Sequence, residues 1–468
     1  MEKNIANFHR RRKLGDKILV TNDEGSWAFL SQDDYRSLLS GVEPSNTDLK
    51  AKHLLLDENN IAGSVKKTHN RYSFLFSGTP LHIIVPTLRC NYKCRYCHSS
   101  SKKQQAEGYD MDEETAKSTV DFIMQSPSKT IIIEFQGGEP LLNFEIVRYI
   151  IEYAEKKIPA YKTLEFRLVT NFSLMTEEIM EFLLEHKVNM CTSIDGPKEV
   201  NDNIRFTCDG SSAYENSSYW LKKINKIYDE RGIKKRVYSI VTITRSCLDY
   251  PKEIVDTYRD LGIDMLHPRY VNYLGDASAA WKDLNYSPDE FIDYWKKHVE
   301  YILELNKQGN KVIERTIKIL LQKILFEHDP NYLELRSPCG AIIGQMAYTY
   351  NGDIYTCDEG RMIGEDIFRV GNVKNDKFRD VVGSPESYAI ISSSCNDCHI
   401  CNYCAYKPYC GICPVCNYAE QGSIVGNIPA TSRCKVSMAQ FDYVFSKLLE
   451  GGEDIEIMKS WIGLGKYA

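Results

Sequence analysis

From Leu81 onward, short apolar runs alternate with amphipathic stretches. The runs are "LHIIVPT" (81–87), "TIIIEFQ" (130–136), "LEFRLVTN" (164–171), "NMCTSID" (189–195), "RVYSIVTI" (236–243) and "MLHPRYV" (265–271). Between them, "DEETAKSTVDFIMQS", "FEIVRYIIEYAEKK", "TEEIMEFLLEHK" and "SYWLKKINKIYDE" repeat apolar residues at the period of a helix with one buried face. Short strands alternating with helices predict an α/β fold, a parallel sheet covered by helices. Six such units (residues 81–275) predict an open or partial (β/α)6 barrel, short of the closed eight.

The flanks read differently. "KILVTNDEGSWAFLS" is two β-type runs around an Asn-Asp-Glu-Gly turn, followed by the helical "QDDYRSLLSG" and "TDLKAKHLLLDENN". This predicts a separate module over residues 1–75, either winged-helix-like or a cap on the main domain. Residues 276–338 form a mainly helical linker, 339–437 a cysteine-rich region and 438–468 closing helices.

Composition narrows the function. The 468 residues are 43% hydrophobic and 26% charged, with no apolar run long enough to span a bilayer, so no membrane partner is expected. A net charge of −6 from 58 basic and 64 acidic residues offers nucleic acid no overall attraction. The basic run "HRRRK" (His9 to Lys13) reads as a solvated patch. No apolar segment follows the charged start "MEKNIANFHRRRK", which predicts a cytoplasmic protein without a secretory signal.

The 16 cysteines are unevenly spread. Cys191, Cys208 and Cys247 are isolated and read as small hydrophobes. "RCNYKCRYCHSS" holds Cys90, Cys94 and Cys97 as C-x3-C-x2-C at the end of the first predicted strand, where parallel α/β folds place their active-site loops. A zinc site completed by His98 is one reading. An iron–sulfur cluster held by three thiolates, with one iron left open, is the other, and the single triplet after a buried strand favours it. Ten more cysteines fall between Cys339 and Cys434; a pair of zinc ribbons is the alternative to further clusters there.

C-x3-C-x-aromatic-C, here Cys90, Cys94, Tyr96 and Cys97, resembles the hallmark of the radical S-adenosylmethionine (SAM) superfamily. The resemblance implies that SAM chelates the open iron of a [4Fe–4S] cluster and is cleaved to a 5′-deoxyadenosyl radical. It also implies cofactor-binding roles for "QGGEP", with Gly137, Gly138 and Glu139, toward the methionyl amine, the glycines allowing close backbone approach to the ligand. Asn171 of "VTN" and Ser193 of "TSIDGP" would serve the ribose and carboxylate, and Arg205, in R-x4-G with Gly210, would grip the carboxylate.

The C-terminal field resembles a SPASM domain, the auxiliary-cluster extension of peptide-modifying radical SAM enzymes, through Cys401-x2-Cys404-x5-Cys410. The resemblance implies an outer [4Fe–4S] cluster on Cys401, Cys404, Cys410 and Cys434, and an inner one on Cys339, Cys357 and Cys413, with Cys416 alternative or additional. That makes three [4Fe–4S] clusters in all. The family's early extra cysteine is replaced by Gln345, and Cys395 and Cys398 have no assigned role. Asp358, beside Cys357, matches an aspartate that serves as catalytic base in related enzymes, against a plain turn-capping role.

"LGDKILVTNDEG", "QGGEPLLNFEIVRYI" and "YKPYCGICPV" look most like the His-Xaa-Ser system maturases. The implied function is formation of C–C cyclophane crosslinks, aromatic ring to β-carbon, in a ribosomally made precursor peptide. The N-terminal module would bind the leader, and a flavodoxin or ferredoxin would supply electrons. A thioether crosslink is the alternative; a zinc-ribbon protein and a plain electron carrier are the readings without this chemistry.

Overall fold

The computed structural model describes residues 4–45, 47–326, 328–395 and 399–466. Cys398 lies outside the described residues.

All six expected strands form and pair in parallel in chain order: Leu81–Ile84, Thr130–Phe135, Thr163–Val169, Asn189–Ser193, Tyr238–Ile243 and Pro268–Tyr270. Helices Glu113–Ile123, Phe144–Lys157, Glu177–Glu185, Ala213–Glu230 and Pro251–Asp260 fill the crossovers. Asp112, Thr176 and Ser212 each cap a helix by accepting a backbone N–H three residues on, which fixes where those crossovers turn. Ile131, Ile133, Phe135 and Leu168 are fully buried between sheet and helices, each stabilising the fold by roughly 1.5–3 kcal/mol.

The cysteine-rich region does not start as a separate layer. Gln345–Tyr348 adds to the main sheet in parallel with Leu81–Ile84, and Asp353–Tyr355 and Arg369–Asn372 continue it antiparallel, giving nine strands. The outer side of the first strand is therefore occupied by chain carrying Cys339 and Cys357. Helices Pro288–Lys307, Arg315–Leu325 and Ser432–Glu450 pack together beyond the sixth strand.

Residues 10–30 form an antiparallel sheet of Arg10–Leu14, Lys17–Thr21 and Trp27–Leu30, one strand more than the expected hairpin. The basic run is that strand, which corrects its reading as a solvated patch. Its residues alternate in exposure; Arg10 is 3% exposed and pairs with Asp23 at 2.8 Å. Ile18, Val20, Leu30, Leu38 and Leu54 make a small core of their own. Among the described residues, no helix is long and apolar enough to cross a membrane.

Candidate functional site

Past Ile84 the chain leaves the sheet and carries the triad. Tyr92–Cys94 pairs antiparallel with Arg205–Thr207, setting Cys94 opposite Arg205, and Asp276 N donates to the Cys97 carbonyl at 2.8 Å. Cys90 Sγ accepts from Tyr92 N at 3.4 Å. Burial pushes the Cys94 thiol up to about 12, with the other triad thiol at Cys97 adding to the effect against Arg205. The Cys90 thiol rises for the same reason, with Glu139, Cys94 and Cys97 adding.

"QGGEP" holds this loop in place. Gly138 N donates to Thr87 O at 3.0 Å and Glu139 N to Arg89 O at 2.8 Å, so the backbone after the second strand runs against the segment entering the triad. A Cβ on Gly138 would collide with the Arg89 carbonyl, and one on Gly137, at φ +126°, with Val85 and the Thr87 carbonyl. Both glycines are therefore required by a close approach to the protein's own chain. Glu139, 1% exposed, is committed locally: Oε1 accepts from Thr170 Oγ1 at 2.6 Å and Leu141 N at 3.1 Å, and Oε2 from Asn171 N at 2.8 Å. Burial pushes its carboxyl up to about 7 against these bonds.

Asn171 in turn donates from Nδ2 to Asn91 Oδ1 at 3.0 Å, inside the triad loop. Ser193 ends the fourth strand half-buried. Two residues on, Asp195 is fully buried and organises the site. It accepts from Tyr96 Oη at 2.8 Å, Arg205 Nε at 2.7 Å and Thr242 N at 3.0 Å. Arg205 also donates to Tyr96 Oη, and its Nη1 lies 3.9 Å from Cys94 Sγ. Arg205, read as a ligand for a carboxylate, thus has a protein carboxylate on one side and a triad sulfur on the other. Asp195 is the aspartate of "TSIDGP", a position that the sequence pattern alone does not mark.

The second field separates into two groups. Cys401, Cys404, Cys410 and Cys434 line one pocket. Cys339, Cys357 and Cys413 lie together in a second group: burial pushes the Cys339 and Cys357 thiols up, Cys413 adds to both, and Cys339 adds to Cys357. Backbone N–H groups point at these sulfurs: Ala341 N to Cys339 and Gly360 N to Cys357, both at 3.3 Å, and Cys416 N to Cys413 at 3.4 Å. The Cys416 hydrogen bond pulls the Cys413 thiol down while Cys416 itself is pushed up. Cys413 borders the outer group's pocket, whereas Cys416 lines a different cavity of about 450 Å³. Cys395 lies apart, in a cavity with Arg71, Lys323 and Arg336.

Among the described residues, three buried guanidinium nitrogens near the cysteine groups have no hydrogen-bond partner: Arg336 Nε and Nη2, and Arg433 Nε. Arg336 interacts electrostatically with Cys339, and Arg433 with Cys413, Cys416 and Cys410. Thiolate-held anionic clusters would give such donors acceptors, so the residues fit iron–sulfur groups. His98 is kept neutral, its ring pushed down to about 4 by burial and by Arg269.

Asp358 is 7% exposed and accepts from Arg361 Nε at 2.8 Å. Arg361 Nη2 reaches Ser99 Oγ at 3.3 Å, joining the helix after Cys357 to the loop after Cys97. The 450 Å³ cavity touches the second field through Cys416 and approaches the triad loop through the chain that follows Leu274. One wall is Tyr270–Leu274, whose next residue, Gly275, packs on the His98 carbonyl; another is Cys416 with Arg433. Arg361 and Arg433 were missed in the sequence, although Arg433 directly precedes Cys434.

Residues 84–244 match the radical SAM superfamily and residues 339–405 the SPASM iron–sulfur cluster-binding domain. A cysteine-type anaerobic sulfatase-maturating enzyme of Clostridium perfringens is 26% identical over 316 residues, 65% of this chain and 80% of that one. The radical SAM cyclopropyl synthase TigE of Paramaledivibacter caminithermalis is 25% identical over 291 residues, 58% of this chain and 56% of that one. Among solved structures, anSMEcpe with bound AdoMet aligns with a TM-score of 0.65 at 21% identity, covering 79% of this chain and 98% of that one. Streptococcus suis SuiB bound to its precursor peptide SuiA aligns at 0.53 and 15% identity, covering 91% of this chain and 98% of that one; both likenesses concern the fold. The chain carries a radical SAM domain followed by a SPASM iron–sulfur cluster-binding domain, and it is an enzyme of that build.

Proposed function

We propose that this enzyme is a peptide maturase that installs a C–C crosslink, aromatic ring to β-carbon, in a ribosomally made precursor, in the manner of the His-Xaa-Ser systems. The observation that carries the reading is the cavity walled by Cys416 and Arg433 of the second field and by Tyr270–Leu274, whose next residue, Gly275, packs on the His98 carbonyl of the triad loop. Relatives named as sulfatase-maturating enzymes, and SuiB named with its precursor peptide, support a peptide as occupant.

Cys90, Cys94 and Cys97 would hold the SAM-binding [4Fe–4S] cluster, which when loaded supplies the electron that releases the 5′-deoxyadenosyl radical from SAM. Around it, Arg205 and Tyr96, oriented by Asp195, fix the Cys94 side of the triad loop. Gly137, Gly138 and Glu139 shape the loop, and Asn171 and Ser193 supply polar groups at the strand ends. Cys401, Cys404, Cys410 and Cys434 would hold the outer auxiliary cluster, and Cys339, Cys357 and Cys413 the inner one. After hydrogen abstraction and ring attack, Asp358 would accept the ring proton, and a cluster held by Cys339, Cys357 and Cys413 would supply the acceptor for the remaining electron, so each crosslink would remove two hydrogens. A flavodoxin or ferredoxin would be the electron donor, and the N-terminal module would hold the leader.

The test is anaerobic reconstitution with SAM, a reductant and the precursor encoded nearby, read by mass spectrometry. A loss of about two mass units per crosslink is expected. An unchanged peptide with no 5′-deoxyadenosine would overturn the reading. The exposure of Cys416 to the cavity favours, as a second reading, a thioether formed by a substrate cysteine; thiol alkylation of the product separates the two, since only a thioether consumes a thiol.

A further inference from the structure

The turn carrying Cys401, Cys404 and Cys410 has its cysteines at multiples of three residues, and it is wound at close to three residues per turn. Cys404 N donates to Cys401 O at 3.2 Å, Lys407 N to Cys404 O at 3.0 Å and Cys410 N to Lys407 O at 3.3 Å. In such a winding, residues three apart share a face, so the sulfurs are gathered on one side. These internal bonds use the carbonyls of residues 401, 404 and 407. The carbonyls of Asn402, Ala405 and Pro408 fall on another face, again three apart.

Each of those three carbonyls accepts from a side chain of the N-terminal unit. Arg10 Nε donates to Asn402 O at 2.8 Å, Thr21 Oγ1 to Ala405 O at 2.7 Å, and Arg71 Nη2 to Pro408 O. The donors are buried, Arg10 at 3%, Thr21 at 0% and Arg71 at 8% exposure, so water does not replace them. The unit is also tied back: Tyr409 Oη donates to Gly25 O at 3.0 Å, and Arg12 holds both oxygens of Asp442, which also accepts from Tyr406 Oη at 2.5 Å. Asp442 lies on Ser432–Glu450, the helix that carries Cys434.

We propose that residues 1–75 mould the Cys401–Cys410 turn, so that the outer cysteine group takes its cluster-holding shape only with the N-terminal unit docked against it. Arg10, Thr21 and Arg71 are then positioning residues for the outer cluster, whatever else the unit binds. The inference rests on the iron–sulfur reading of these cysteines.

The experiment compares full-length wild type with Thr21→Val, with Thr21→Val combined with Arg10→Met, and with Trp27→Phe. Trp27 Nε1 donates to Ile324 O at 3.1 Å, a contact of the same unit with helix Arg315–Leu325 that uses none of the Asn402, Ala405 and Pro408 carbonyls. After anaerobic reconstitution, iron and acid-labile sulfide are counted and the reduced protein is examined by electron paramagnetic resonance. The double variant is expected to lose about a third of its iron, one cluster of three, together with one set of signals. Thr21→Val, which keeps the side chain's shape, shifts the same signals, and Trp27→Phe retains the full count. SAM cleavage without substrate persists in all of them. Full iron in the double variant overturns the inference alone, as does an equal loss in Trp27→Phe, which would mark a general loosening. Wild type that takes up no iron overturns both the inference and the cluster reading beneath it.

Discussion

Arg205 Nε donates to Asp195 Oδ2 at 2.7 Å, and Asp195 is fully buried at the end of the fourth barrel strand. The pair closes a circuit with Tyr96 beside the cysteine triad. Asp195→Asn leaves the largely buried guanidinium without its counter-charge and should destabilise the protein by about 3–5 kcal/mol, measured by chemical denaturation. An unchanged unfolding midpoint would show that Arg205 finds another anion.

Gly138→Ala sets a methyl group against the Arg89 carbonyl, which is backbone and cannot swing away. The segment entering the triad must move, so reconstituted protein should lose the triad's iron while keeping the auxiliary iron. Gly210→Ala is the comparison: at φ +77° with open space around it, it meets only the backbone penalty of about 1–2 kcal/mol, and its iron content should match wild type.

Cys413 and Cys416 are hydrogen-bonded to each other yet have different surroundings. Cys413 interacts with Cys339 and Cys357, whereas Cys416 faces the cavity. Cys413→Ala should remove one auxiliary cluster from the iron count, while Cys416→Ala should retain the count and alter peptide modification. The opposite pattern would exchange their roles.

Asp358→Asn tests the proposed base. Proton acceptance by a placed side chain contributes about 10²–10⁴-fold, so crosslinked product should fall by at least about 100-fold while 5′-deoxyadenosine still forms. Arg361→Lys, which keeps a charge but not the two-way reach to Asp358 and Ser99, should lower product less and weaken the coupling between SAM cleavage and product formation.

Stability should fall in acid through buried imidazoles. His82 is fully buried between Tyr348 Oη at 2.8 Å and Thr79 O at 3.1 Å, and burial pushes its pKa from 6.5 down to about 3. The unfolded chain therefore binds a proton that the folded protein refuses. The contribution is complete above about pH 6.5 and declines toward pH 3, by up to about 1.4 kcal/mol per pH unit. Urea unfolding of His82→Gln, compared with wild type at about pH 7.5 and about pH 5.5, should show a shallower dependence. Equal slopes would mean the ring is already protonated when folded.

The strands were legible because buried parallel strands must be apolar runs bounded by breaks, and that pattern is local. All six appear where the runs lie, although the first stops at Ile84, because the chain beyond it turns off to form the triad loop. The triad and "QGGEP" were legible for the same reason, since their spacing is contained within one loop. Asp195, Arg361 and Arg433 were not, because each matters through a partner far along the chain: Thr242, Ser99 and Glu334.

By itself the sequence determined the order of strands and helices, the three-thiol loop after the first strand and the cysteine spacings of the second field, all set by residues near one another. Only the tertiary structure decided that the second field extends the barrel sheet through Gln345–Tyr348, and that Arg10, Thr21 and Arg71 of the N-terminal unit satisfy three carbonyls of the Cys401–Cys410 turn. Those outcomes depend on which distant backbone groups and charges are left unpaired once the local elements have formed, and burial then obliges them to find one another.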